Sequence, residues 1–407
     1  MPFADPPTTG LADDSPALDA FIALCGEGPW QSRVAELGLR MRSGSLSGRA
    51  AQQRHALELA LSRLSDRRAL AKAGAAERRF CALAQDAVAL AESLPPAGRA
   101  RLQDRVLAGL TGPATLIPFF HLLRTASLLR QRGFTVAFHG LAENAPYDLL
   151  VERGGARAEV ACECVSAEEG RPVHRGDWWA LVDAINPELQ TWLAAHPGRY
   201  LLKMTLPEGI SGPDQLAELQ QRISAMLVAE KRQDSGAQAV LKLDPLVLAG
   251  AQAQDRAGSG LPARLRAQFG PEAHLAVTTQ AGSGSVFAMA ARAGRENEIA
   301  AAVCRSATLA AETRLSGRHP GILAIFLDDL DRLDWRALRG EQLELEGAVR
   351  RFLTTPPARQ VVAVSCASRF EMFGGPDAAP EGELRFRNPS HAAAKHPGLA
   401  PAILSSM

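Results

Sequence analysis

The stretch from Tyr147 to Val165 constrains this chain more than any other part of its 407 residues. Two runs of strand-forming residues, Tyr147-Asp-Leu-Leu-Val-Glu152 and Arg157-Ala-Glu-Val-Ala-Cys-Glu-Cys-Val165, flank Gly154-Gly155. Paired glycines accept the positive φ angles of a tight turn, so the sequence predicts a β-hairpin. Side chains alternate along a strand, which puts Glu159, Ala161 and Glu163 on one face of the second arm and Cys162 and Cys164 on the other. Asp148 opens the first arm. Acidic groups from two neighbouring strands are thereby brought towards one place, and a register slip of one residue would reverse them all.

The surrounding pattern is α/β. Residues 1–17, rich in Pro, Gly, Thr and Asp, read as a mobile tail. Residues 18–112 read as a helical region: apolar residues recur at three and four in His55–Leu64 and Phe80–Leu90, and Pro95-Pro96 breaks the run. Its many arginines read as a solvated face, or alternatively as a surface for a protein partner. From 113 to 248 the pattern changes. Phe119–Arg130 is an amphipathic helix closed by Arg132-Gly133. Strands follow at Phe134–Phe138 and in the hairpin, then a helix around Trp178–Ala195 and a strand at Tyr200–Leu206. That order predicts one α/β core. Residues 249–263 read as a linker. Residues 264–407 predict a C-terminal mixed α/β region. It holds a hairpin around Ala281–Ser285, a helix over Ile299–Arg314, covered strands at Gly321–Leu327 and Gln360–Ser365, and an edge strand at Glu383–Arg387.

Composition narrows the classes of function. A net charge of +1, from 45 basic and 44 acidic residues, gives no overall field for a polyanion; nucleic acid would need a local basic patch. Aromatic residues, at 5%, leave little surface for stacking bases. The lysines are few (Lys72, Lys203, Lys231, Lys242 and Lys395), so a mechanism that needs one has a short list of candidates. Six cysteines are too sparse for a disulfide framework and read as reduced thiols of a cytoplasmic protein. No signal-peptide pattern opens the chain, and no apolar run reaches the roughly 18 residues of a membrane span, so no membrane role is expected. Glycine-rich phosphate loops, nucleophile elbows and zincin motifs are absent.

Pro146-Tyr-Asp148, the strand behind the Gly-Gly turn, and Val165-Ser-Ala-Glu-Glu-Gly-Arg-Pro-Val-His174 together resemble the PD-(D/E)XK nuclease superfamily, the restriction-endonuclease-like fold. The resemblance spans residues 119–206, and it implies such a core within residues 113–248. Uncharacterised bacterial members commonly end the second strand in a Glu-Cys-Lys-like triplet that runs into a Ser-Ala-x-x-Gly-Arg-x-x-His-like segment. Here Ala161-Cys162-Glu163 stands in the triplet's place. The resemblance implies phosphodiester hydrolysis with Mg²⁺ held by carboxylates, and a lysine that positions water and balances charge at phosphorus. It carries Asp148 and Glu163 over as catalytic and metal-binding residues, with Glu159 as a further metal ligand one pleat away. Two departures thin that set: a methyl group replaces the first triplet carboxylate, and a carboxylate replaces the lysine.

Lys203 interrupts the apolar strand Tyr200–Leu206, and a buried ammonium needs a partner. It is expected either to face Asp148 and Glu163, as a migrated catalytic lysine or a charge neutraliser, or to lie on an exposed face. Arg171, His174 and Arg175 open the following helix and are the candidate nucleic-acid contacts, because guanidinium groups and helix N-termini favour phosphate. The plainer alternative has Asp177 capping that helix and Trp178 and Trp179 packing on the sheet. Asp328-Asp329-Leu-Asp331 reads either as a cation-holding cluster at a strand's carboxyl end or as a helix cap. Arg385, Arg387, Asn388 and His391 read as a phosphate contact or an edge-strand guard. Cys162 and Cys164 read as core thiols.

Three functions follow. The first is a nucleic-acid-binding or regulatory protein on a degenerate nuclease-like core with weak or no catalysis. The second is an active Mg²⁺-dependent nuclease using Asp148, Glu163 and Lys203. The third is a protein-interaction module with an inert scaffold.

Overall fold

The computed structural model describes residues 15–42, 44–210, 212–246, 260–270, 272–280, 284–340 and 344–406. Residues 1–14 of the expected tail, most of the expected linker at 249–263 and residues 281–283 of the expected hairpin loop lie outside that set, while Ser15, Pro16 and Ala17, expected in the tail, open the first helix. The fold is mixed α/β, with helices leading and sheet in the C-terminal part, as the pattern predicts.

The helices α1 (Ser15–Cys25), α2 (Glu27–Arg42), α3 (Leu46–Arg54), α4 (Ala56–Leu64), α5 (Arg67–Leu70), α6 (Ala75–Ser93), α7 (Pro96–Gly109) and α8 (Ile117–Gln131) come first. Strand β1 (Thr135–Ala137), helix α9 (His139–Ala142), β2 (Leu149–Arg153) and β3 (Ala156–Ser166) follow. The middle of the chain forms α10 (Arg175–Ala195), β4 (Arg199–Leu206), α11 (Pro213–Val228), β5 (Gln233–Ser235), β6 (Val240–Pro245), α12 (Leu261–Phe269), β7 (His274–Thr279) and β8 (Val286–Ala293). The last part forms α13 (Ile299–Thr313), β9 (Gly321–Asp328), α14 (Arg332–Arg339), α15 (Glu344–Phe352), β10 (Val361–Ser368), α16 (Arg369–Phe373), β11 (Leu384–Arg387) and α17 (Ala400–Ile403).

These elements divide into two compact units. The first comprises residues 1–40, 51–167 and 300–407; the second comprises 41–50 and 168–299. The expected single core over 113–248 is therefore corrected. The chain leaves the first unit just after β3 and returns with α13, so the strand at 199–206 belongs to a different sheet from the hairpin.

The first unit is built on a sheet of order β1-β2-β3-β9-β10-β11. β1, β2 and β3 are antiparallel neighbours, β3, β9 and β10 run parallel, and β11 closes the edge antiparallel to β10. Every residue of β10 is buried, and all of β9 except Asp328, which is why both read as near-continuous apolar runs. Helix α8 lays Phe119, Phe120, Leu123 and Ala126 into the core. Helix α6 adds Phe80, Ala84, Ala87 and Ala91, the three-and-four spacing of one apolar stripe. At the outer edge, the Arg385 and Arg387 N–H groups donate to Ser406 and Ser405 Oγ, each at 3.1 Å. The C-terminal segment thus covers a strand edge that would otherwise offer free pairing groups.

One expectation for the helical region fails. Arg33 is 1% exposed, not part of a solvated face. It donates to the Gly112 and Ala114 carbonyls at 2.8 and 2.5 Å and lies 3.3 Å from His55 Nδ1. The fully buried Glu58 accepts from the Leu116 N–H at 2.9 Å. These hydrogen bonds bind α2 and α4 to the loop that leads into α8 and offset part of the cost of burying the two charges, although among the described residues Arg33 Nε and Glu58 Oε2 have no hydrogen-bond partner.

The second unit has a sheet of order β5-β6-β4-β8-β7, in which only β4 and β8 run parallel. Helices α10 and α11 pack Trp178, Leu181, Ile185, Ile223 and Met226 into its core. Asp183 on α10 accepts the Leu46 and Ser47 N–H groups, each at 2.9 Å, satisfying donors that the start of α3 leaves open. Among the described residues, no helix is long and apolar enough to cross a membrane.

Candidate functional site

The hairpin sets the geometry. Gly154 and Gly155, at φ 57° and 73°, make the tight turn, and β2 and β3 pair with Leu149 opposite Val160. Asp148, one residue before Leu149, therefore falls beside Ala161. Gly140 permits the approach: a Cβ there would stand 2.8 Å from the Tyr147 carbonyl oxygen and 3.1 Å from Asp148 Cα. Its N–H donates to the Asp148 carbonyl at 3.1 Å, which ties α9 to the start of β2.

Asp148 is 3% exposed. Its Oδ2 accepts from the Cys162 N–H and from Arg314 Nη2, both at 2.8 Å, and its Oδ1 accepts from Arg105 Nη2 at 2.8 Å. Glu163 Oε1 accepts from Arg314 Nη1 at 2.5 Å. Arg314 Nε donates to the Pro146 carbonyl at 2.8 Å. One guanidinium, set just past the end of α13, thus joins the two strand carboxylates and the loop before them. All three of its nitrogens are engaged, a planar fit that an ammonium would not give.

Electrostatics follow from burial and these neighbours. Burial pushes the Glu163 carboxyl above its ordinary value; Arg314 pulls it back in part, and Asp148 adds to the rise. Arg105 is held above its usual value although burial opposes it, because the Asp148 charge and hydrogen bond outweigh the loss of water. Burial, and then Asp148, raise the Cys162 thiol, which keeps it neutral.

Glu159 shares a strand face with Glu163 but serves another task. It is fully buried, and it accepts from Ser316 N–H at 2.7 Å, Ser316 Oγ at 2.5 Å and His319 N–H at 3.3 Å. It clasps the loop between α13 and β9, so its expected place in a metal shell is corrected. Lys203 is corrected too. It lies on β4 in the second unit and donates to Asp244 Oδ2 at 3.0 Å, with its side chain 41% exposed. The single lysine in an apolar strand marks the exposed alternative.

The residue set does not fit Mg²⁺. The cation needs several oxygen ligands in a near-octahedral shell. Here Ala161 contributes a methyl group, Glu159 is engaged by the loop, and Arg314 holds both remaining carboxylates. Among the described residues, no cluster of three or more His, Cys, Asp or Glu side chains could hold a metal ion.

The expected nucleic-acid contacts open α10 in the second unit. Arg171 is 4% exposed and paired with Glu168, so it is withdrawn from any phosphate. Glu168 also accepts the Arg175 N–H at 2.7 Å, and His174 Nδ1 lies 3.6 Å from Asp177. Asp177 does not cap the helix, since His174 occupies the N-cap position. Trp178 is buried in the core, as the plainer reading has it.

The second acidic cluster divides in the same way. Asp331 caps α14 by accepting the Asp334 N–H at 2.8 Å. Asp329, at φ 56°, accepts from Arg54 at 2.6 and 2.8 Å and from Ser166 Oγ at 2.7 Å. Asp328 is pushed up to about 6, first by burial and then by its neighbour Asp329. Near the C-terminus, Asn388 Nδ2 donates to the Val361 carbonyl at 2.9 Å and Arg385 Nη1 to the Pro401 carbonyl at 2.6 Å. These polar groups fasten β11 in place.

Two residues of the corner escape the sequence reading, Arg314 and Arg105. The only signal for them is the unbalanced charge of Glu163, which calls for a cation without saying which. Comparison of the chain with protein-family models, with curated proteins and with solved structures finds no match.

Proposed function

We propose that this chain is a binding or regulatory protein on a degenerate PD-(D/E)XK-like core that does not hydrolyse phosphodiesters, with nucleic acid the partner class that the ancestry suggests. The observation that carries this reading is Arg314 across Asp148 and Glu163, where the resemblance implies a divalent cation. The order of elements supports the kinship. Helix α8 leads into β1, β2 and β3, and α13 leads into β9 parallel to β3, with the second unit spliced between β3 and α13. The chemistry supports the silence. A guanidinium stays protonated and cannot take a proton from water, and hydrolysis would require Arg314 to release both carboxylates at once.

The test is incubation of the purified chain with supercoiled plasmid, single-stranded DNA and RNA in Mg²⁺ or Mn²⁺, beside Asp148→Ala. No cleavage above the variant's level is expected. Fluorescence polarisation with the same nucleic acids over a salt series should show binding that weakens as salt rises. Cleavage that Asp148→Ala abolishes would establish the nuclease instead.

A further inference from the structure

A pocket of about 420 Å³ opens in the first unit between the C-terminal half of α6, helix α8 and strand β1. That size falls within the roughly 300–1,000 Å³ typical of small-molecule sites. Leu90, Leu94, Leu123 and Phe138 supply apolar wall, and Asp86 and Arg130 supply opposite charges. None of these residues belongs to the Arg314 corner.

Among the described residues, Asp86 and Arg130 form neither a hydrogen bond nor an ion pair, although Asp86 senses the Arg130 charge. Burial raises the Asp86 carboxyl while Arg130 lowers it. The guanidinium of the exposed Arg130 lies 5.5 Å from the Phe138 ring centroid, a cation–π contact. An acceptor and a donor therefore stand at one pocket that also offers apolar wall.

We propose that this pocket binds a small neutral amphiphile whose head carries a hydrogen-bond donor beside an acceptor, as a primary amide does. The head N–H groups meet the Asp86 carboxylate, the head carbonyl meets Arg130, and the apolar body lies against the leucines. An anionic head gains from Arg130 but is repelled by Asp86, and a cationic head faces the converse. A neutral head with both functions satisfies the pair without leaving either charge opposed.

Three probes with one body decide the matter: octanamide, octanoate and octylamine, titrated into the full chain by calorimetry and by saturation-transfer NMR. Octanamide should bind best. Asp86→Ala and Arg130→Gln should each weaken it by about tenfold, the loss of one hydrogen bond to a charged group. Ala89→Trp places a large side chain on an exposed position of the pocket wall and should abolish binding while leaving the melting temperature unchanged. The proposal is overturned if none of the probes binds, or if all three bind alike. It is overturned equally if octanoate or octylamine binds tightest, or if Ala89→Trp has no effect. The nuclease assay is unaffected by any of these outcomes.

Discussion

Replacing Arg314 by alanine removes the charge that two carboxylates share. Asp148 keeps Arg105 and the Cys162 N–H, but Glu163 loses the only ion-pair partner it has among the described residues. Deleting one member of a fully buried pair costs about 3–5 kcal/mol, and of an exposed pair about 0–1 kcal/mol. The side chains of Arg314, Glu163 and Asp148 are 29%, 21% and 3% exposed, which sets this site between the limits. A loss of about 2–3 kcal/mol is expected. For a unit of this size that lowers the melting temperature by about 4–10 °C, read by calorimetry. Adding Glu163→Gln removes the orphaned charge and should restore about 1 kcal/mol, so the double-mutant cycle shows coupling. The pH dependence has a definite sign. Glu163 has a folded pKa above its ordinary 4.5, so its protonated form favours the fold. Losing Arg314 raises that pKa further. The variant's deficit should shrink as pH falls through the raised value and grow above it. A melting temperature equal to the parent's, or a deficit that does not change with pH, would refute the idea that Arg314 holds this corner.

Other substitutions probe neighbouring groups. Asp328 binds its proton more tightly folded than unfolded, with its pKa raised from 3.8 to about 6, so its contribution is complete in acid and is lost as pH rises through about 6. Asp328→Asn keeps an acceptor for the Asp329 N–H, and its urea midpoint should exceed the parent's above that pH and match it in acid. Glu159→Ala leaves the Ser316 and His319 donors unmet; it should cost about 3 kcal/mol and speed proteolysis between 315 and 320, with Glu159→Gln milder. Lys203→Ala breaks only a half-exposed pair with Asp244, so the unfolding free energy from urea titration should fall by less than about 1 kcal/mol. A larger shift would mean that Lys203 has a partner beyond Asp244.

Much of the first unit is legible in local pattern. Gly154-Gly155 marks the hairpin, the period-two alternation puts Glu159, Ala161 and Glu163 on one face of its second arm, and the apolar runs of β9 and β10 announce strands covered on both faces. The insertion is not legible. Residues 175–206 form an amphipathic helix followed by an apolar strand, which meets the local requirement for the core's next helix and strand as well as 299–328 does. Only tertiary pairing separates them, with Glu163 opposite Ile325 in β9. Closing so long a loop costs little more than closing a short one, so the chain tolerates the excursion. Arg314 is hidden for a related reason. A basic residue at a helix C-terminus is ordinary on dipole grounds, and nothing local marks it as the counter-ion of a strand far away in sequence. Arg33 and Arg105 are concealed among arginines that mostly do face solvent.

Titration of the chain with Mn²⁺, followed by electron paramagnetic resonance, addresses the Arg314 corner most directly. With the guanidinium seated between Asp148 and Glu163, the parent and Asp148→Asn should give the same free-ion signal at every concentration. A bound Mn²⁺ population in the parent that Asp148→Asn removes would contradict that arrangement and restore a metal-dependent nuclease.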